Sequence, residues 1–106
     1  MRMNNPEDAK LVTLAKSTLV RSGAQQAAAL RDTTGRTYVA INVVSPSLKL
    51  DAFQAVLTVA LASGITGIES VVCAGNQECD PKVITDYAPT ATVFCVDAHD
   101  KIHPCA

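Results

Sequence analysis

The most reactive side chains in this sequence are its four cysteines, Cys73, Cys79, Cys95 and Cys105. Thiolates bind borderline-soft metals such as zinc and act as nucleophiles. Successive cysteines are 6, 16 and 10 positions apart, so no Cys-x-x-Cys pair occurs and no common zinc knuckle is matched. Cys73 stands in Ser-Val-Val-Cys-Ala and Cys95 in Thr-Val-Phe-Cys-Val, which makes both simplest to read as free, buried strand residues. Cys79 falls in a polar stretch and reads as an exposed thiol with nothing beside it to activate it. Two carboxylates, Asp51 and Asp80, each stand just before a helical segment. They are either helix caps or metal ligands. Gln54 three residues after Asp51 makes a capping box, and Asp80-Pro81 is a cap followed by Pro at the first helical position, so capping is the favoured role. His99 and His103 read as turn or tail residues.

The elements that would position these groups follow from periodicity. Asp8 to Ser22 repeats Leu11, Leu14, Ala15 and Leu19 at helical offsets, and Gly23 stops it. Gln25 to Arg31, rich in Ala, reads as a strand. Asp32-Thr33-Thr34-Gly35 is a turn, and Arg36 to Val44 a second strand completing a hairpin. Tyr38, Ala40, Asn42 and Val44 share one face of it. Ser45-Pro46-Ser47 interrupts the chain. Residues 51 to 63 form the clearest helix, apolar on nearly every side, which suits a central helix or one covered by another subunit. Gly67 to Ala74 reads as a strand, residues 75 to 80 as a polar loop, Pro81 to Tyr87 as a short helix and Ala91 to Val96 as a strand. Asp97 to Asp100 is a turn, and a further extended piece begins at Lys101. The order α-β-β-α-β-α-β implies a mixed sheet in an α/β domain, with its later strands parallel.

Length and composition limit the possibilities. A chain of 106 residues supports one core, here assigned to residues 6–106 behind a flexible N-terminus at residues 1–5. Hydrophobic residues make up 48% and charged residues 18%, an ordinary globular balance. With two Phe, two Tyr and no Trp, the core must be built from small aliphatic side chains. A net charge of −1 offers no nucleic-acid footprint, and Arg21, Arg31 and Arg36 read as a scattered solvated face. No apolar run reaches spanning length, and the first residues carry no hydrophobic signal region, so the expectation is a cytoplasmic protein that binds neither membrane nor nucleic acid.

From about Pro6 to Ile102 the order of elements and the local sequence resemble the cytidine deaminase family, including its blasticidin-type relatives. The likeness is carried by Thr34-Gly35-Arg36-Thr37-Tyr38-Val39-Ala40-Ile41-Asn42-Val43, by the Ala-rich helix ending Ser63-Gly64, and by the strand after it. The resemblance implies a layered α-β-α domain. It also implies a zinc ion held by three Cys, or by one His and two Cys, with a Glu moving the proton. In this sequence the motif residues differ. The first ligand and the Glu would fall at Asp51 and Phe53, and the remaining ligands at Gln77 and Asp80, with Cys79 one position away. Phe53 carries no proton, and no register restores a thiolate pair. Asn42 matches an Asn that contacts ribose in active relatives and is the candidate substrate-binding residue, though satisfying backbone groups at a strand end is the favoured role. Its partner Glu is replaced by Val44, and a base-pocket Phe by Ala24.

The resulting expectation is a non-catalytic member of the fold, without zinc, acting through ligand binding or self-assembly as a dimer or tetramer, since the family's subunits pack through the central helix. Two alternatives stay open. One is a nucleoside deaminase-type hydrolase with an altered metal site around Asp51, Cys79 and Asp80. The other is a subunit that partners an active deaminase or another protein.

Overall fold

The computed structural model describes residues 5–75 and 79–105. The expected flexible residues 1–4 and the candidate ligand position Gln77 lie outside the described residues. Helix α1 (Pro6–Ser22) is followed by strands β1 (Gln26–Asp32), β2 (Thr37–Ile41), β3 (Val43–Val44) and β4 (Lys49–Leu50). Then come helix α2 (Ala52–Ala62), strand β5 (Ile68–Gly75), helix α3 (Lys82–Tyr87) and strands β6 (Thr92–Val96) and β7 (Ile102–Pro104). The main sheet has the order β2-β1-β5-β6-β7, and β3 pairs with β4 in a separate small ribbon. Among the described residues only β5 and β6 run parallel, with α3 in the crossover between them. The mixed α/β sheet expected from the sequence is therefore present.

Helices cover both faces of this sheet. On one face Leu11 and Ala15 of α1 pack against Ala29, Val72, Ala74, Phe94 and Val96. On the other, Phe53, Val56 and Ala60 of α2 and Ile84 of α3 pack against Ala28, Leu30, Val71, Cys73 and Val93. Strand β1 lies between these layers and every residue in it is buried. A strand covered on both faces shows no alternation of apolar and polar residues, and small Ala side chains let both helical layers approach closely. That explains why β1 gives so weak a signal in the sequence.

Local chemistry sets the boundaries. Helix α1 begins two residues earlier than its apolar repeat suggests, because Asn5 caps it by accepting from Glu7 N–H at 2.9 Å and Pro6 takes the first turn. It stops at Gly23, whose φ of 68° is the left-handed conformation of a C-terminal glycine. In the β1–β2 turn, Asp32 accepts from the Thr34 hydroxyl at 2.7 Å and from the Thr34 and Arg36 N–H groups. The Thr34 hydroxyl is the foremost of the contacts that hold the Asp32 carboxyl below its ordinary range.

Three expectations are corrected. The second strand stops at Ile41 instead of running to Val44, since beyond Asn42 the chain turns to pair Val43–Val44 with Lys49–Leu50. Arg31 is not part of a solvated face: it is buried, with Nη2 on Asp8 and Nε on Glu69, each at 2.8 Å. Those partners lie 23 and 38 positions away, so only the packing of α1 and β5 around β1 brings them together. Burial lowers the Arg31 pKa, but the hydrogen bonds to Glu69 and Asp8 outweigh it and leave the guanidinium above its ordinary value. Finally, Cys79 is not an exposed free thiol. It is half-buried with its sulfur against that of Cys73, and the sulfurs of Cys95 and Cys105 meet in the same way, so neither Cys73 nor Cys95 stands alone.

Candidate functional site

The resemblance directs attention to the N-terminal ends of α2 and α3, and the structure brings these together through Asp51. The start of α2 leaves backbone N–H groups without helical partners, and a carboxylate there also meets the positive end of the helix dipole. Asp51 Oδ1 accepts from Gln54 N–H at 2.9 Å, while Gln54 Oε1 accepts from Asp51 N–H at 2.9 Å, which completes the capping box. The second carboxylate oxygen of Asp51 reaches across the chain and accepts from Asp80 N–H at 3.0 Å. One side chain thus caps α2 and ties it to the segment leading into α3.

Asp80 takes part from the other side. Its Oδ1 accepts from Lys82 N–H at 3.0 Å, so its capping role is met one residue away from the formal N-cap, Pro81, which makes no side-chain cap of its own. Behind this joint lies Phe53, with no exposed surface, its ring in the core between α2 and the sheet. Cys79, next to Asp80, faces the same core cluster as Cys73.

A second link, built on Gln26, gives no signal in the sequence. Gln26 Oε1 accepts from Ala52 N–H at 2.9 Å and so meets another unsatisfied donor of the α2 terminus. Asn42, the candidate ribose contact, uses its Oδ1 to accept from Gln26 N–H at 3.0 Å. It therefore extends the edge of β1 where β2 has ended. Gln26 and Ala52 are 26 positions apart, and no periodicity or motif relates them. The start of β1 also lies hard against the end of β5. Gly75 has φ of 143°, and a Cβ there would collide with the Gln25 carbonyl, so the approach requires glycine.

These residues do not fit the zinc ion that the resemblance implies. Zinc in such a site needs soft donors and a proton-carrying group beside them. Asp51 has each of its oxygens accepting a backbone N–H, Asp80 caps Lys82, the Cys79 sulfur faces that of Cys73, and Phe53 offers only hydrocarbon. Among the described residues, no group of three or more His, Cys, Asp or Glu is arranged to hold a metal ion. Of the two histidines, His99 is exposed in the turn around Asp97, which accepts from its N–H at 2.8 Å, and His103 is exposed on β7.

The arrangement at Asp51 makes a graded prediction. Asp51→Ala removes both the cap and the tie to Asp80 and should cost about 2 kcal/mol. Asp51→Asn keeps a capping oxygen but puts an amide nitrogen where Asp80 N–H must be accepted, and should cost about 1 kcal/mol. Urea unfolding midpoints would check this, and an Asp51→Asn variant as stable as the parent would show that the tie to Asp80 contributes nothing separate.

The comparisons with known proteins agree with this architecture. The description "Cytidine deaminase-like" matches residues 4–100. A cytidine deaminase structure from Burkholderia pseudomallei superposes with a TM-score of 0.73 at 20% identity, covering 92% of this chain and 91% of that one. The enzyme from Mycobacterium leprae gives 0.68 at 16% identity, covering 99% and 96%. That from Bacillus anthracis gives 0.64 at 16% identity, covering 95% and 84%. At these identities the likeness is one of fold. No curated protein matches the chain.

Proposed function

The chain belongs to the cytidine deaminase-like family, and from that premise we propose that it is a member of the fold that does not deaminate. One observation carries the reading: the Asp51 carboxylate spends its two oxygens on the backbone N–H groups of Gln54 and Asp80, where the family's chemistry calls for a metal ligand. A carboxylate at two converging helix ends supplies the negative charge that a zinc–thiolate centre would otherwise supply. Phe53 supports the same reading, because a buried ring in place of a carboxyl leaves no group to take a proton from water or give one to a ring nitrogen.

In this reading the domain acts by binding and assembly. Along α2, Val56 and Ala60 are buried in the core while Val59 and Leu61 stay 42% and 45% exposed. A helix with apolar side chains on both its inner and outer faces suits contact with a second subunit, and we place the homo-oligomer contact there. No helix among the described residues is long and apolar enough to cross a membrane. A cytoplasmic site of action remains part of the proposal.

The test uses purified full-length protein. Metal analysis should find zinc well below one equivalent, cytidine should not be converted to uridine, and light scattering should give a mass of at least a dimer. Stoichiometric zinc or uridine formation overturns the non-catalytic reading. A monomer at micromolar concentration overturns the assembly.

A further inference from the structure

We propose that the four cysteines form a two-disulfide redox site, in which the state of the Cys73–Cys79 pair controls the joint between Asp51 and Asp80. All four sit in one layer. Cys73 and Cys95 are direct register partners on the parallel strands β5 and β6, and in-register neighbours on adjacent strands project to the same face about 4.8 Å apart. Each has the sulfur of a second cysteine against its own, Cys79 and Cys105, and all four pack against the α2–α3 side of the core. No cysteine is left over. The opposite side of the same strands carries Val72, Ala74, Phe94 and Val96 and no cysteine.

The two pairs have different consequences. Cys79 directly precedes Asp80, whose N–H is held by Asp51. The bond to Cys73 therefore fixes the chain at residue 79 to strand β5 and presents the Asp80 amide to the α2 cap. Cys105 ends a strand already held by pairing with β6 and by its own N–H, which donates to the Val93 carbonyl at 3.1 Å. Opening the second pair should leave the Asp51 joint in place.

The reaction is thiol–disulfide exchange with a dithiol reductant. Cys73 is only 3% exposed, whereas Cys79 is half-buried, so the reductant's thiolate attacks the Cys79 sulfur. The Cys73–Cys79 bond breaks, and its electron pair leaves on the Cys73 sulfur, which takes a proton from water. The reductant's second thiolate then attacks the reductant sulfur of the mixed disulfide and releases Cys79, which is protonated in turn. The domain gains two electrons and two protons per pair, and the reductant departs as a disulfide. A low-molecular-weight disulfide reverses the sequence.

The experiment takes the full chain through a dithiothreitol series, with intact mass and peptide mapping after alkylation and with hydrogen exchange read over residues 79–82. Air-equilibrated protein should contain no alkylatable thiol and should give linked peptides 73/79 and 95/105. Reduction of the first pair should speed exchange at the Asp80 amide about tenfold. Cys79→Ser should show that fast exchange without reductant, and reductant should not increase it. If that variant does not fold, Cys105→Ser, which keeps the Cys73–Cys79 pair, should still respond to reductant at Asp80. Four free thiols in the air-equilibrated protein, a crossed pairing such as 73/95, or unchanged exchange at Asp80 on reduction would each overturn the proposal. None of these measurements reads zinc or turnover, so their failure is separable from failure of the non-catalytic reading.

Discussion

Phe53→Ala should destabilise the domain by about 3–5 kcal/mol, the cost of emptying a fully buried aromatic site. The ring has no exposed surface and lies among Val56, Val71, Ile84 and Val93, so its removal loses both transfer free energy and packing. Small domains are stable by only about 5–15 kcal/mol, and this change alone would consume much of that margin. Urea or thermal unfolding would measure it. The same position separates a structural from a catalytic role. Were Phe53 lining an open substrate pocket, truncation would cost less than about 1 kcal/mol, and that result would sink the account of position 53 as core. Phe53→Glu should be at least as damaging, because it puts a carboxyl into hydrocarbon without a partner, and it should not produce deamination.

Arg31→Met should cost about 3 kcal/mol, for a different reason. Arg31 and Asp8 have side chains only 9% and 11% exposed, and removing the guanidinium leaves the Asp8 carboxylate buried without its counter-charge. Glu69, 47% exposed, can return to water and adds little. The Nη1 group of Arg31 is itself buried without a hydrogen-bond partner, so the native arrangement carries a cost that the variant removes. For that reason the estimate stays at the lower end for a broken buried pair. The double variant Asp8→Leu with Arg31→Met should recover most of the loss, since an apolar pair desolvates no charge. A double-mutant cycle in urea would give the coupling directly, and additive losses would show that the two groups do not interact.

Much of the architecture was legible in the chain itself. The apolar repeat of α1, the Gly23 stop, the Asp51–Gln54 capping box and the Val-rich strand β5 depend on residues within a few positions of each other. Local interactions of this kind are fixed by backbone sterics and short-range hydrogen bonds, which sequence spacing encodes. The departures at position 53 and at the thiolate positions were legible for the same reason, because a Phe has no proton to move wherever the fold places it. The end of β2 was less so: alternation continued through Val44, and the pairing of Val43–Val44 with Lys49–Leu50 instead of with β1 left the strand ending at Ile41.

What the sequence alone determined, then, was the order of elements, the family they resemble, the capping character of Asp51 and the absence of a proton-carrying group at position 53. The tertiary structure alone decided which distant groups meet. It joined Asp51 to Asp80 across 29 positions and Gln26 to Ala52 across 26, turned Arg31 from a surface charge into a buried one, and paired the cysteines as 73 with 79 and 95 with 105. For the first three the physical reason is common: each contact joins elements from separate parts of the chain, and no local periodicity records which neighbour an element will acquire.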